Sequence, residues 1–141
     1  MLYEINPDLS KVIQSSWFTS ESGTYIYVKV KELVHAEKHL IITRDSDEIT
    51  VVTDLANLVL LGDYERNPEN WKLLNIKCGN PFYCKGFLAV IAASFAKKGI
   101  DITLTSTYTN DYIMVQENNL TKAIFVLEEM GFQKKDTRKK L

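Results

Sequence analysis

The feature that most limits what this chain can become is a change of hydrophobic period that occurs twice between Trp71 and Phe132. From Trp71 to Cys78 the residues alternate, with Leu74, Ile76 and Cys78 on one face and Leu73, Asn75 and Lys77 on the other, which predicts a strand. Gly79-Asn80-Pro81 breaks the pattern. From Gly86 the period lengthens, and Phe87, Ile91 and Phe95 recur every four residues with Leu88 and Ala92 beside them, as on an amphipathic helix. Lys97-Lys98-Gly99 predicts its end, with cations at the negative end of the helix dipole and glycine just beyond. Ile100, Ile102 and Leu104 then alternate with Asp101, Thr103 and Thr105. Thr109-Asn110-Asp111 predicts a turn short enough for a hairpin, leading into a strand over Tyr112 to Glu117. Asn118 or Asn119 is expected to cap a second helix whose buried face carries Leu120, Ala123, Ile124 and Leu127, and Gly131 to end it. Phe132 onward reads as a short edge strand. The order β-α-β-β-α-β in about 65 residues predicts a four-stranded antiparallel sheet with two helices on one face.

The first half is strand-rich. Ile26, Val28 and Val30 alternate with Tyr25, Tyr27 and Lys29, and Leu40-Ile41-Ile42 turns through Arg44-Asp45-Ser46-Asp47 into Ile49-Thr50-Val51-Val52. Leu55 to Leu61 is apolar all round, and periodicity leaves it open between helix and strand. The half reads as a shorter unit of the same plan. The polar, turn-rich stretch from Gly62 to Asn70 reads as a linker, so the expected division is residues 1–67, residues 68–133 and a basic tail at 134–141.

Several functions lose support at this stage. Seventeen basic residues against eighteen acidic ones give a net charge of −1, without the basic excess of a general nucleic-acid binder. No apolar run approaches the roughly 20 residues that cross a bilayer. The start, Met1 to Asp8, lacks the basic and apolar regions of a signal peptide. Two cysteines, Cys78 and Cys84, make no disulfide framework, which predicts a cytoplasmic chain with reduced thiols. Their spacing is too wide for a structural zinc pair, and Cys84, near a helix start, is a candidate for a lowered pKa. His35 and His39 have ligand spacing on a helix, but no glutamate follows His35 directly and no third ligand is near, so the stretch reads as a solvated turn. No glycine-rich phosphate loop occurs, and no nucleophile lies at a readable spacing from a base. No metal or cofactor and no catalysis are expected. The basic tail reads as a solvated end.

Two stretches carry more information. One is Gly79-Asn80-Pro81-Phe82-Tyr83-Cys84-Lys85-Gly86-Phe87-Leu88-Ala89, followed by Ala96-Lys97-Lys98-Gly99-Ile100-Asp101-Ile102. The other is Ser106-Thr107-Tyr108-Thr109-Asn110-Asp111-Tyr112-Ile113-Met114-Val115. With Asp47-Glu48-Ile49-Thr50-Val51-Val52 upstream, they resemble the small bacterial and archaeal tandem ACT-domain proteins, relatives of aspartokinase regulatory domains and of the animal cytosolic arginine sensor. The resemblance covers about residues 24–133 and is strongest over 71–131. It departs at Asn110, where the family has threonine, and at Lys85, where a cation stands before the helix glycine. It implies two tandem ferredoxin-like ACT subdomains, the first abbreviated. It implies a ligand-binding regulatory role without catalysis, and a homodimer that holds a small amino acid.

The residues themselves suggest how an amino acid would be held. The turn Asn80 to Gly86 leads to a helix N-terminus, whose unpaired N–H groups and positive dipole end favour a carboxylate. Gly79 and Gly86 allow close backbone approach. Asp111 supplies the counter-charge for an ammonium, with the hydroxyls of Thr107 and Tyr108 alongside. The expected ligand residues are Gly79, Asn80, Phe82, Tyr83, Cys84, Gly86, Thr107, Tyr108 and Asp111. Against this stands plain turn chemistry, which accounts for Asn and Asp at such places without a ligand. A partner-binding module that assembles through its sheet edges, with no ligand, is the alternative.

Overall fold

The computed structural model describes residues 7–79 and 84–136. In chain order these form helix α1 (Pro7–Gln14) and strands β1 (Trp17–Ser20) and β2 (Tyr25–Val30). A 3-10 turn (Ala36–Lys38), β3 (Ile41–Arg44), β4 (Ile49–Asp54), a second 3-10 turn (Leu55–Leu60) and β5 (Tyr64–Arg66) follow. Then come β6 (Trp71–Lys77), α2 (Phe87–Lys97), β7 (Ile102–Ser106) and β8 (Asp111–Gln116). A third 3-10 turn (Glu117–Asn119), α3 (Leu120–Met130) and β9 (Gln133–Lys134) complete the order. The class is α+β, as the two periods predict. The chain divides into two compact units, residues 23–71 and residues 1–22 with 72–141.

This grouping differs from the expected division at 67/68, because the residues up to Ser22 fall with the C-terminal unit. The physical reason is strand pairing. β1 runs antiparallel to β6, with Phe18 opposite Ile76 and Thr19 opposite Asn75, and parallel to β9, with Trp17 opposite Gln133. A four-residue strand has no local pattern that names its partner.

In this discontinuous unit the strand order is β9-β1-β6-β8-β7, so β1 stands between the first and last strands of the β-α-β-β-α-β segment. The helices pack on one sheet face. Phe18, Leu74, Ile76, Ile113 and Val115 meet Ile13 of α1, Phe87, Ile91 and Phe95 of α2, and Ala123 and Leu127 of α3 in one buried cluster. Leu74 and Ile76, placed on one face by alternation, are both fully buried. Phe87 and Phe132 meet edge to face, with ring centroids 5.7 Å apart. Asn119 holds the N-cap position of α3, but its side chain makes no capping bond. The preceding 3-10 turn brings the backbone in already wound, with Leu120 N–H bonded to the Glu117 carbonyl.

The unit of residues 23–71 keeps the same plan with its helices reduced. β2 pairs antiparallel with β4, β3 with β4, and β5 with β2, giving the order β3-β4-β2-β5. That is the order of a β-α-β-β-α-β sheet, and 3-10 turns of three and six residues stand where the helices would be. The apolar run from Leu55, open between helix and strand in sequence, is the second of these turns, with the Asp54 carboxylate accepting from Ala56 N–H at 2.9 Å. Its core is small: Ile26, Val28, Val30, Val51 and Leu61, with Val28 opposite Val51 across the β2–β4 ladder. On the other face Trp71 meets Tyr27 edge to face and donates its indole N–H to Asn67 at 3.2 Å. His35 and His39 flank the short 3-10 turn rather than sharing a helix face. His39 is hydrogen-bonded through both ring nitrogens, to the buried Thr53 hydroxyl at 3.0 Å and the Val34 carbonyl at 2.8 Å.

Candidate functional site

The β7–β8 hairpin and the start of α2 converge on one cavity of about 240 Å³. Strand β6 delivers Cys78 to it, the approach to α2 delivers Cys84, Phe87 and Leu88, and the hairpin delivers Ser106 through Asp111. The hairpin is fixed by register and by its own turn. Ser106 stands opposite Asp111, the Thr107 N–H donates to the Asn110 carbonyl at 2.8 Å, and the Asn110 N–H donates to the Thr107 hydroxyl at 3.1 Å.

Of the nine residues expected at a site, Cys84, Thr107, Tyr108 and Asp111 line this cavity. Asn80, Phe82 and Tyr83 lie outside the described residues. Gly79 and Gly86 are not on its wall, and the structure gives each a different task. Gly79 packs against the end of α1: its N–H donates to the Ser16 hydroxyl at 2.9 Å, and a Cβ there would collide with the Ser15 side chain. Gly86 is the N-cap of α2 with φ +84°, a left-handed conformation that costs other residues strain. Having no side chain, it also leaves the first-turn N–H groups of α2 without a side-chain cap.

Asp111 makes a short bond, accepting from the Ser106 hydroxyl at 2.6 Å through Oδ1. Tyr108 is 85% exposed and stands at the rim. Phe87 supplies the buried apolar part of the wall and Leu88 an exposed part. Burial raises the Cys84 thiol above its ordinary pKa, contrary to the lowered value expected beside a helix start. Desolvation disfavours the charged thiolate. Next to the site Tyr112 is also pushed up, first by burial and then by the carboxylate of Glu21.

Cys78, Phe87, Leu88, Ser106, Thr109 and Asn110 were not named from the sequence as site residues. For Ser106 a signal existed, since it is two positions from Tyr108 along the same turn. For Phe87 and Leu88 the helical period pointed to core packing and concealed the second role.

Among the described residues no group of three or more His, Cys, Asp or Glu side chains is placed to hold a metal. No helix among them is long and apolar enough to cross a membrane.

A β-α-β-β-α-β sheet with a cavity between its first helix start and its central hairpin defines the class of protein. Residues 66–129 match the family model of the ACT domain. No curated protein matches the chain. Among solved structures it is similar to a Vibrio cholerae protein of unknown function, described as a possible transport protein. The two share 20% identity over 88% of this chain and 96% of that one, with a TM-score of 0.76. A protein from Agrobacterium tumefaciens is similar at 22% identity over 86% and 92% of the two chains, with a TM-score of 0.69. The ligand-free regulatory subunit of Thermus thermophilus aspartate kinase shares 8% identity over 80% and 95%, with a TM-score of 0.59. At these identities the likeness is one of fold, and it is the fold of aspartokinase regulatory domains.

Proposed function

We propose that this chain is a regulatory module that binds a small molecule without turning it over, and that the ligand is an amino acid. The observation that carries the reading is the convergence of Asp111 and the uncapped start of α2 on a single cavity. A zwitterion needs an anionic group for its ammonium and N–H donors for its carboxylate; Asp111 and the start of α2 are groups of these two kinds, and residues of both line the cavity. Cys84, Phe87 and Leu88 supply a wall for a small side chain. The two free thiols, Cys78 and Cys84, fit a reducing compartment such as the cytoplasm.

Regulation further requires that the ligand favour one of two states of the chain or its assembly, because equal affinity for both shifts nothing. A homodimer is the natural second state. Among the described residues strand β7 pairs with β8 alone, which leaves its other edge available to another chain. Thermal melting of the chain with each of the twenty amino acids, followed by calorimetric titration of any that stabilise it, tests the proposal. The expected result is a rise in melting temperature with one or a few of them. A flat response to all twenty at millimolar concentration, from a chain that self-associates, would favour the ligand-free partner module instead.

A further inference from the structure

The unit of residues 23–71 has a cavity of its own, about 760 Å³, at the same corner of its β-α-β-β-α-β plan as the cavity beside Asp111. It is bounded by the end of the first strand (β2), the hairpin between the second and third (β3–β4) and the start of the fourth (β5). Here the first helix has shrunk to three residues, so no helix N-terminus is available for an anion. Cationic side chains stand there instead. Lys31 and Arg44 line the cavity together with Asp45, Asp47, Glu48 and Asp63, so both signs of charge face one space, with carboxylates in excess.

Lys29 and Glu65 on its wall are satisfied by each other at 3.1 Å, and that contact raises the Lys29 pKa. Asp45 accepts from the backbone N–H groups of Asp47 and Glu48 at 2.8 and 2.9 Å, and the Glu48 carboxylate acts on Lys29. The remaining four charged residues behave differently. Among the described residues, the side chains of Lys31, Arg44, Asp47 and Asp63 make no hydrogen bond or ion pair. Opposite charges that share a cavity without closing on each other leave room for a molecule that carries both.

We propose that this cavity is a second binding site, for a zwitterion of about dipeptide size, with its carboxylate on Arg44 and Lys31 and its ammonium on Asp63 and Asp47. The volume is about three times that beside Asp111, which leaves room for a larger zwitterion. The inference is independent of the amino-acid reading of the other cavity.

The test is an amide-resolved NMR titration of the full chain with alanyl-alanine, N-acetyl-alanyl-alanine and alanyl-alanine amide. Alanyl-alanine is expected to move the amides of residues 29–31, 44–49 and 63–65, saturating in the low-millimolar range. Removing either charge from the probe should weaken binding about tenfold, as should R44Q and D63N, which keep the wild-type melting temperature. Each variant tests one end of the ligand, so if one fails to fold the other decides. No shift in these segments by about 10 mM overturns the proposal, as do equal shifts with the blocked dipeptides, or shifts confined to residues 106–111.

Discussion

The Ser106 hydroxyl donates to Asp111 Oδ1 at 2.6 Å across the first rung of the β7–β8 hairpin. The bond fixes one carboxylate oxygen and so orients the other. Asp111 therefore serves the hairpin whether or not a ligand is present, and the proposed ligand contact can be separated from that role by measurement. Asp111→Asn keeps an oxygen for Ser106 and removes the charge. We expect its melting temperature to fall by no more than a few degrees, while affinity for the stabilising amino acid falls about tenfold or more, the worth of a charged hydrogen bond. Calorimetric titration of both proteins with the same ligand checks this. Equal affinities would remove Asp111 from the site.

Gly79 is held by contact with α1 rather than by a ligand. Gly79→Ala should destabilise the chain by about 1–3 kcal/mol, because the new methyl group meets the Ser15 side chain. Ser15→Ala should by itself cost little, since its hydroxyl bonds the Val12 carbonyl in an exposed position. Combined with Gly79→Ala it should restore part of the loss. Urea melts of the two single variants and the double variant close this cycle; strict additivity would mean that the clash is relieved elsewhere.

Burial of the Cys84 thiol raises its pKa above the ordinary value of 9.0. The rate of alkylation by iodoacetamide, followed at this residue by mass spectrometry, should therefore have its midpoint above pH 9. A midpoint near neutrality would point to a thiolate stabilised by the start of α2.

Tyr112 has its pKa raised above 10.0 by burial and by Glu21. The native state then keeps a proton that the unfolded chain gives up, so this group's contribution is intact below pH 10 and is lost as pH climbs from there through the folded-state value. Tyr112→Phe should flatten the fall in stability above pH 10 in denaturant melts, to the extent of this one proton. An unchanged slope would assign the alkaline loss to other groups.

Phe95 is fully buried in the cluster that joins α2 to the sheet. Phe95→Ala should cost about 3–5 kcal/mol, the loss of a buried ring plus the cavity it leaves. Denaturant unfolding measures this directly, and a cost below about 1 kcal/mol would mean that neighbours collapse into the space.

Much of the C-terminal unit was legible in the sequence because its information is local. A period of two puts Leu74 and Ile76 on one face, a period near four does the same for Phe87, Ile91 and Phe95, and both sets are buried where those patterns place them. A turn ahead of β8 is legible for the same reason, since its bonds run between near neighbours, though it spans Thr107–Asn110 rather than the expected Thr109–Asp111. Tertiary structure decided what depends on distant partners. It set β1 beside β6, with partners 54 to 60 residues apart in the chain, where four residues of sequence name no partner. It reduced the helices of residues 23–71 to 3-10 turns, since a core cluster of five buried residues leaves little apolar surface to hold longer ones. It also brought Phe87 and Leu88 to the hairpin of Ser106 and Asp111, making a cavity from residues that periodicity alone assigns to packing.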